Sequence, residues 1–141
     1  QLQTANYATL ENTVFYGNNA SDEGSAVTVK EDGYVNLINT IVTGNDGSPA
    51  IYLIPPAEDD SYMSSLSIEY SNIWGNDEGG FMGFDDPTGA DGNISEDPLF
   101  TNADEGDFTL QDGSPCIDSG TGQDSDGTQA DMGFYGGPNA P

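Results

Sequence analysis

A ten-residue cassette stated three times constrains this chain most. Leu10–Asn19 reads LENTVFYGNN, Leu37–Asp46 reads LINTIVTGND, and Ile68–Asp77 reads IEYSNIWGND. Aligned on Gly17, Gly44 and Gly75, the copies lie 27 and 31 residues apart, within the range of stacked supersecondary repeats. Each has an aliphatic residue seven places before the glycine (Leu10, Leu37, Ile68) and an apolar one two places before it (Phe15, Val42, Ile73). A small hydroxyl stands four places before it (Thr13, Thr40, Ser71), and an asparagine follows it (Asn18, Asn45, Asn76).

Valine, isoleucine, threonine and aromatic residues crowd each copy, and their stiff or wide side chains suit a pleated surface. The Gly-Asn pair tolerates the left-handed backbone of a sharp corner. A second apolar run follows every corner, at Ala26–Val29, Ala50–Leu53 and Phe81–Phe84. Each unit therefore reads as strand, corner, strand and loop. Parallel pairing of the units would stack apolar columns inside and an asparagine column at the corner. The expected fold is all-β, a β-solenoid of three to four rungs, with rungs over 1–95 and a last rung and C-terminal cap over 96–141.

Composition narrows the function. The chain has 141 residues, the size of one domain, with 25 acidic residues against a single Lys30 and no Arg or His, a net charge of −24. Such a field repels nucleic acid and anionic lipid and attracts cations. The acids read either as a solvated coat or, in specific loops, as oxygen ligands for Ca²⁺. Acid-rich chains can be disordered, but the repeats and 34% hydrophobic content argue against it. One cysteine, Cys116, allows no internal disulfide and reads as a small buried hydrophobe. No run approaches the roughly 18 apolar residues of a membrane span. The first residue is Gln, which suggests a processed or truncated chain.

Residues 1–9 enter the first copy without a capping feature, although an open rung exposes unpaired strand edges. The expectation is a further rung before Gln1, or a neighbouring molecule; head-to-tail contact between copies would build a filament. Lys30–Gly33 reads as a tight link between rungs. The loops at 55–61 and 85–92 read as outward insertions, which in solenoids gather on a binding face or are merely tolerated there.

From Glu96 the pattern changes to DPLF (97–100), GDFTL (106–110), GSPCIDSG (113–120), DSDG (124–127) and DMGFYGGP (131–138). This series resembles the C-terminal portion of secreted bacterial right-handed parallel β-helix proteins, the pectate-lyase-like superfamily in its broad sense. The resemblance implies a right-handed parallel β-helix outside the cell, with Phe108, Leu110, Ile117, Met132 and Phe134 folded over its open end. It implies no one activity, since that superfamily holds lyases, hydrolases, adhesins and structural proteins.

Its lyases use an Arg or Lys base with Ca²⁺, and its polygalacturonases a Gly-His-Gly and an Arg-x-Lys; this chain has no Arg or His, and its one Lys, Lys30, falls in a short inter-rung loop. Paired acids such as Asp59-Asp60 and Asp85-Asp86 could serve glycoside hydrolysis, but acids are everywhere. Without His there is no Ser-His-Asp or Cys-His chemistry and no His-based zinc site. The best metal candidate is the DxDG turn, Asp124 and Asp126 with Asp131 or Asp118 as further ligands for Ca²⁺; its bland counterpart is an Asx-turn. Tyr16 and Trp74 precede their corner glycines, with Thr43 between, and could stack on sugars as a stripe or pack against neighbouring loops. Two glycosylation sequons stand at Asn19 and Asn93.

The resulting expectation is a non-catalytic extracellular module: a surface, adhesive or fibre-forming protein with calcium in its cap. Its partners would be copies of itself or other surface proteins, with no nucleic acid and no membrane insertion. The alternatives are an accessory fragment of a polysaccharide-active enzyme and a carbohydrate-binding module.

Overall fold

The computed structural model describes residues 6–56 and 63–137. The chain makes three circuits through three parallel sheets. The first circuit is β1 (Asn6–Glu11), β2 (Val14–Tyr16) and β3 (Val27–Val29). The second is β4 (Gly33–Ile38), β5 (Ile41–Thr43) and β6 (Ile51–Leu53), and the third β7 (Ser65–Glu69), β8 (Asn72–Trp74) and β9 (Phe81–Met82). Strand orders are β1-β4-β7, β2-β5-β8 and β3-β6-β9, every pair parallel. The arrangement is all-β and compatible with a β-helix.

Register follows the cassette. Leu10, Leu37 and Ile68 are partners across the first sheet, and Phe15, Val42 and Ile73 across the second. With Val27, Val29 and Ile51 of the third sheet they make one core running through the circuits. Gly17, Gly44 and Gly75 take φ of 66°, 65° and 61°, the left-handed corner expected of Gly-Asn. The asparagines behind them form the expected column. Asn18 Nδ2 donates to Asn45 Oδ1 at 2.9 Å, and Asn45 Nδ2 to Asn76 Oδ1 at 2.9 Å. The hydroxyl column closes a turn in each copy: Thr13, Thr40 and Ser71 donate to the carbonyls of Glu11, Ile38 and Glu69.

The cassette is not a single strand, however. A second corner falls inside it at Asn12, Asn39 and Tyr70, all left-handed with φ near 50°, and divides a first-sheet strand from a second-sheet strand. Each circuit thus has three strands where the sequence pattern indicated two. The link after Lys30 is the tight turn expected: Gly33 N–H donates to the Lys30 carbonyl, with Glu31 and Asp32 left-handed.

A partial fourth layer covers the third circuit. Asn93 Oδ1 accepts the Ser71 N–H, Ile94 N–H donates to the Ser71 carbonyl, and Ile94 bridges Asn72 in parallel. Residues 97–137 then run along the outer flank of the β2-β5-β8 sheet, beginning with an antiparallel hairpin, β10 (Phe100–Asn102) and β11 (Asp107–Leu110). This differs from the expected lid over an open end. In the outward column Val14–Ile41–Asn72, Val14 and Ile41 offer apolar surface along the side, and Cys116 and Met132 bury themselves on Ile41 there. Phe134, one of the residues expected to fold over the open end, is 52% exposed.

Candidate functional site

The flank segment is anchored by buried asparagines. Asn39 Nδ2 donates to Asn12 Oδ1 and to the Thr121 carbonyl, both at 3.0 Å, while its Oδ1 accepts the Thr121 N–H at 2.7 Å. Asn72 donates to the Glu96 carbonyl at 2.8 Å and to Cys116 Sγ at 3.1 Å. Burial pushes the Cys116 thiol up to about 11. That keeps it unreactive at neutral pH. Gly133 has φ +89° and lies against Ile41, where a Cβ would stand 2.8 Å from Ile41 Cδ1. Only glycine lets this backbone sit so close.

Beside these anchors is a recess of about 330 Å³ lined by Asp118, Asp124, Asp126, Asp131, Thr128 and Tyr135, among others. The structure therefore brings the four acids of the DxDG reading to one place. Asp126 accepts the Thr128 N–H at 2.8 Å, the Asx-turn geometry, and this lowers its pKa first; the hydrogen bond with Asp124 adds to it. Asp124 moves up, because its carboxyl meets that of Asp126. Asp131 also moves up, chiefly through burial, although its Oδ1 accepts the Asp118 N–H at 2.8 Å. Among the described residues no three His, Cys, Asp or Glu groups converge as a metal cluster. As arranged, the turn offers a cation two adjoining carboxylates, Asp124 and Asp126, and the Thr128 hydroxyl, with Asp131 already engaged.

The aromatic column is in register, Tyr16 with Thr43 and Thr43 with Trp74. Its rings are in different environments. Tyr16 packs edge-on against Phe108, with centroids 5.6 Å apart, and its hydroxyl donates to Asp104 at 2.7 Å. That bond raises the Tyr16 pKa. Trp74 is 38% exposed. The flank hairpin thus takes one of the two rings offered to sugars. A stacked pair that the sequence pattern missed, Tyr7 and Tyr34, lies on the outer face of the first sheet with centroids 4.9 Å apart. Its signal was a tyrosine 27 residues after another, just upstream of the first two cassettes.

The other candidates are dispersed. Lys30 is tied to Glu23 at 2.8 Å, on the surface. Asn93 is buried at 3% and fully engaged, so of the two sequons only the exposed Asn19 is accessible in the fold. Asp59-Asp60 lie outside the described residues. Comparison with protein-family models, curated proteins and solved structures finds no match to this chain.

Proposed function

We propose that the chain is a right-handed parallel β-helix of the pectate-lyase-like kind, acting outside the cell as a non-catalytic surface or adhesive module. The observation that carries this reading is the continuous stack: three parallel sheets in register, tied at one corner by the Asn18–Asn45–Asn76 ladder. A stack in which every layer bonds the next resists bending and serves as a spacer or display surface. The composition supports the absence of catalysis, with no His or Arg and a single Lys that is engaged by Glu23. A charge of −24 keeps such a rod soluble and favours basic or cation-bridged partners over nucleic acid.

Calcium enters the reading as a weak tie at Asp124 and Asp126. Two carboxylates and a hydroxyl supply fewer oxygens than the six to eight Ca²⁺ takes, so the affinity expected of this reading is weak, roughly 10⁻⁴–10⁻³ M as in extracellular modules. Bound there, the ion would neutralise the crowded carboxylates and hold the turn.

The test is incubation with a panel of neutral and uronate polysaccharides, scoring new reducing ends and unsaturated uronate products. No turnover, together with light scattering that gives the same 14.8 kDa particle with calcium and with excess chelator, fits a passive module. Turnover would move the chain to the polysaccharide-active enzymes. Large particles that chelation disperses would make it a calcium-dependent assembly.

A further inference from the structure

We infer that Tyr7 and Tyr34 form a cross-linking site, at which one-electron oxidation joins their rings as dityrosine and ties the first circuit to the second. The oxidant, by chemical class, is hydrogen peroxide turned over by a haem peroxidase. The site depends on the layered pairing behind the β-helix reading and adds a covalent modification to it.

The chain has seven tyrosines, and among the described residues Tyr7 and Tyr34 make the one tyrosine–tyrosine contact. They are direct partners in the parallel pairing of β1 with β4, so their side chains leave the sheet on the same face. The rings are stacked, with centroids 4.9 Å apart and planes 27° apart. In each ring the two carbons ortho to the hydroxyl lie at the end away from the sheet. Stacking in register therefore sets the ortho carbons of one ring beside those of the other.

The surroundings leave this pair free to react. Tyr7 is 77% exposed, and among the described residues neither hydroxyl has a hydrogen-bond partner. Tyr16, by contrast, gives its hydroxyl to Asp104 and packs on Phe108. The next residue in the column after Tyr34 is Ser65, too short to crowd the rings. Thr9, Asn36 and Ser67, one step along the same face, carry no group that oxidises before a phenol.

Each phenol gives up one electron and its hydroxyl proton and becomes a neutral tyrosyl radical. The two radicals pair to form a carbon–carbon bond between one ortho carbon (Cε) of each ring. The hydrogen on each bonded carbon then moves to the oxygen of its ring, which restores both phenols. Two electrons and two protons have left the pair, and they reduce one hydrogen peroxide to two waters. Bringing the ortho carbons from contact to bond asks for side-chain rotation, and the terminal torsion of tyrosine is broad. Holding the rings together replaces a chance encounter of radicals with one inside the molecule. Coupling between molecules is opposed by the charge of −24 on each. The bond links residues 27 apart in the chain and, in the manner of a disulfide, restricts the unfolded state.

The test treats the dilute native chain with a haem peroxidase and limiting hydrogen peroxide. Dityrosine fluorescence, intact mass and cross-linked peptides are then measured. The expected product is a monomer lighter by two hydrogens, joined between the peptides that hold Tyr7 and Tyr34. That pair should exceed any other tyrosine pair, and its own yield in denaturant, by at least about tenfold. Tyr7→Phe and Tyr34→Phe each keep a ring to stack and should each abolish the product. The cross-linked chain should unfold at a higher denaturant midpoint than the untreated one. Other pairs in equal yield, or dimers as the main product, overturn the site. Equal yield in denaturant also overturns it, as does no cross-link in a chain whose β4–β8 amides are protected from exchange. A chain whose β4–β8 amides lack that protection fails the layered reading itself and takes the site with it.

Discussion

In the three circuits, a side chain finds its partner one layer away, 27 or 31 residues along the chain, and the same contact recurs in the next layer. In the flank segment, partners are either local or very distant. Asn39 and Thr121 are 82 residues apart and Tyr16 and Asp104 are 88 apart, and neither contact is repeated. The circuits are therefore overdetermined, because register, core columns, hydroxyl column and asparagine ladder all specify one alignment. The flank segment depends on a few anchors: Asn39, Asn72, and the packing of Cys116 and Met132 on Ile41. Damage to a circuit should propagate through the stack, while damage to an anchor should free one segment.

The largest effect should come from the core. Leu37→Ala or Ile51→Ala removes a side chain buried to 0% and should cost about 2–5 kcal/mol, read as a fall in the denaturant midpoint that is the same for all probes. Transitions that separate, with the first circuit melting before the third, would show that the layers are less coupled than the ladder implies.

Next comes the ladder against the anchor. Asn45→Ala removes the side-chain bonds to the Phe15 and Thr43 carbonyls, the acceptor of the Asn18 N–H and Nδ2, and one of the two bonds to Asn76 Oδ1, and should cost about 3 kcal/mol globally. Asn39→Ala orphans the Thr121 carbonyl and N–H and should cost about 2 kcal/mol. That loss should register chiefly as protease cutting within 118–135, with β4–β8 still protected from exchange. Equal global loss in both variants would erase the distinction between the two regions.

Cys116 reports on the same boundary. It is fully buried with its thiol pushed up to about 11, so an aromatic disulfide reagent should label the native chain slowly. Met132→Ala opens the packing over it and should speed labelling about tenfold or more while the core transition moves little. Labelling that accelerates only in denaturant would mean the segment opens together with the circuits.

This division also decides what was readable in the sequence. The Gly-Asn corners, the hydroxyl column and the buried aliphatic columns were legible because stacking converts a period into contacts. The inner corner was hidden, since Asn12, Asn39 and Tyr70 share a left-handed backbone but no one residue type. The fourth layer was hidden because its spacing contracts: Asn93 follows Ser71, whose N–H it binds, by 22 residues. The position of the flank segment was illegible for a different reason. Its apolar residues obey no period, and the surface that receives them is the outward side of strands whose inward side supplied the signal. The acids of the DxDG turn were legible as neighbours in sequence, but their division into an Asx-turn and a pair of crowded carboxyls depends on the fold. Tyr16 was legible as part of a column and not as a partner of Phe108 and Asp104.

The smallest effect concerns that turn, and its sign follows from the protonation of the acids. Asp124 and Asp131 have folded pKa values raised above the ordinary 3.8, so the folded state holds their protons more tightly than the unfolded chain does. What they contribute is fully present below about 3.8 and is lost as pH rises through their folded values. Asp126 runs the other way, its contribution present above 3.8 and lost as pH falls, and it offsets part of the change. The net expectation is that the Gly120 and Ala130 amides, which close the turn on the segment, lose protection as pH rises from below 3.8 toward neutral, after correction for intrinsic exchange. Asp131→Asn keeps an acceptor for the Asp118 N–H without the charge and should flatten that dependence. Millimolar calcium at neutral pH should restore the lost protection in the native chain and do little in Asp124→Asn, with sodium at equal ionic strength as the control. Restoration by sodium as well would reduce the cluster to general screening of an acidic surface, and calcium would then have no specific part in holding the flank segment to the circuits.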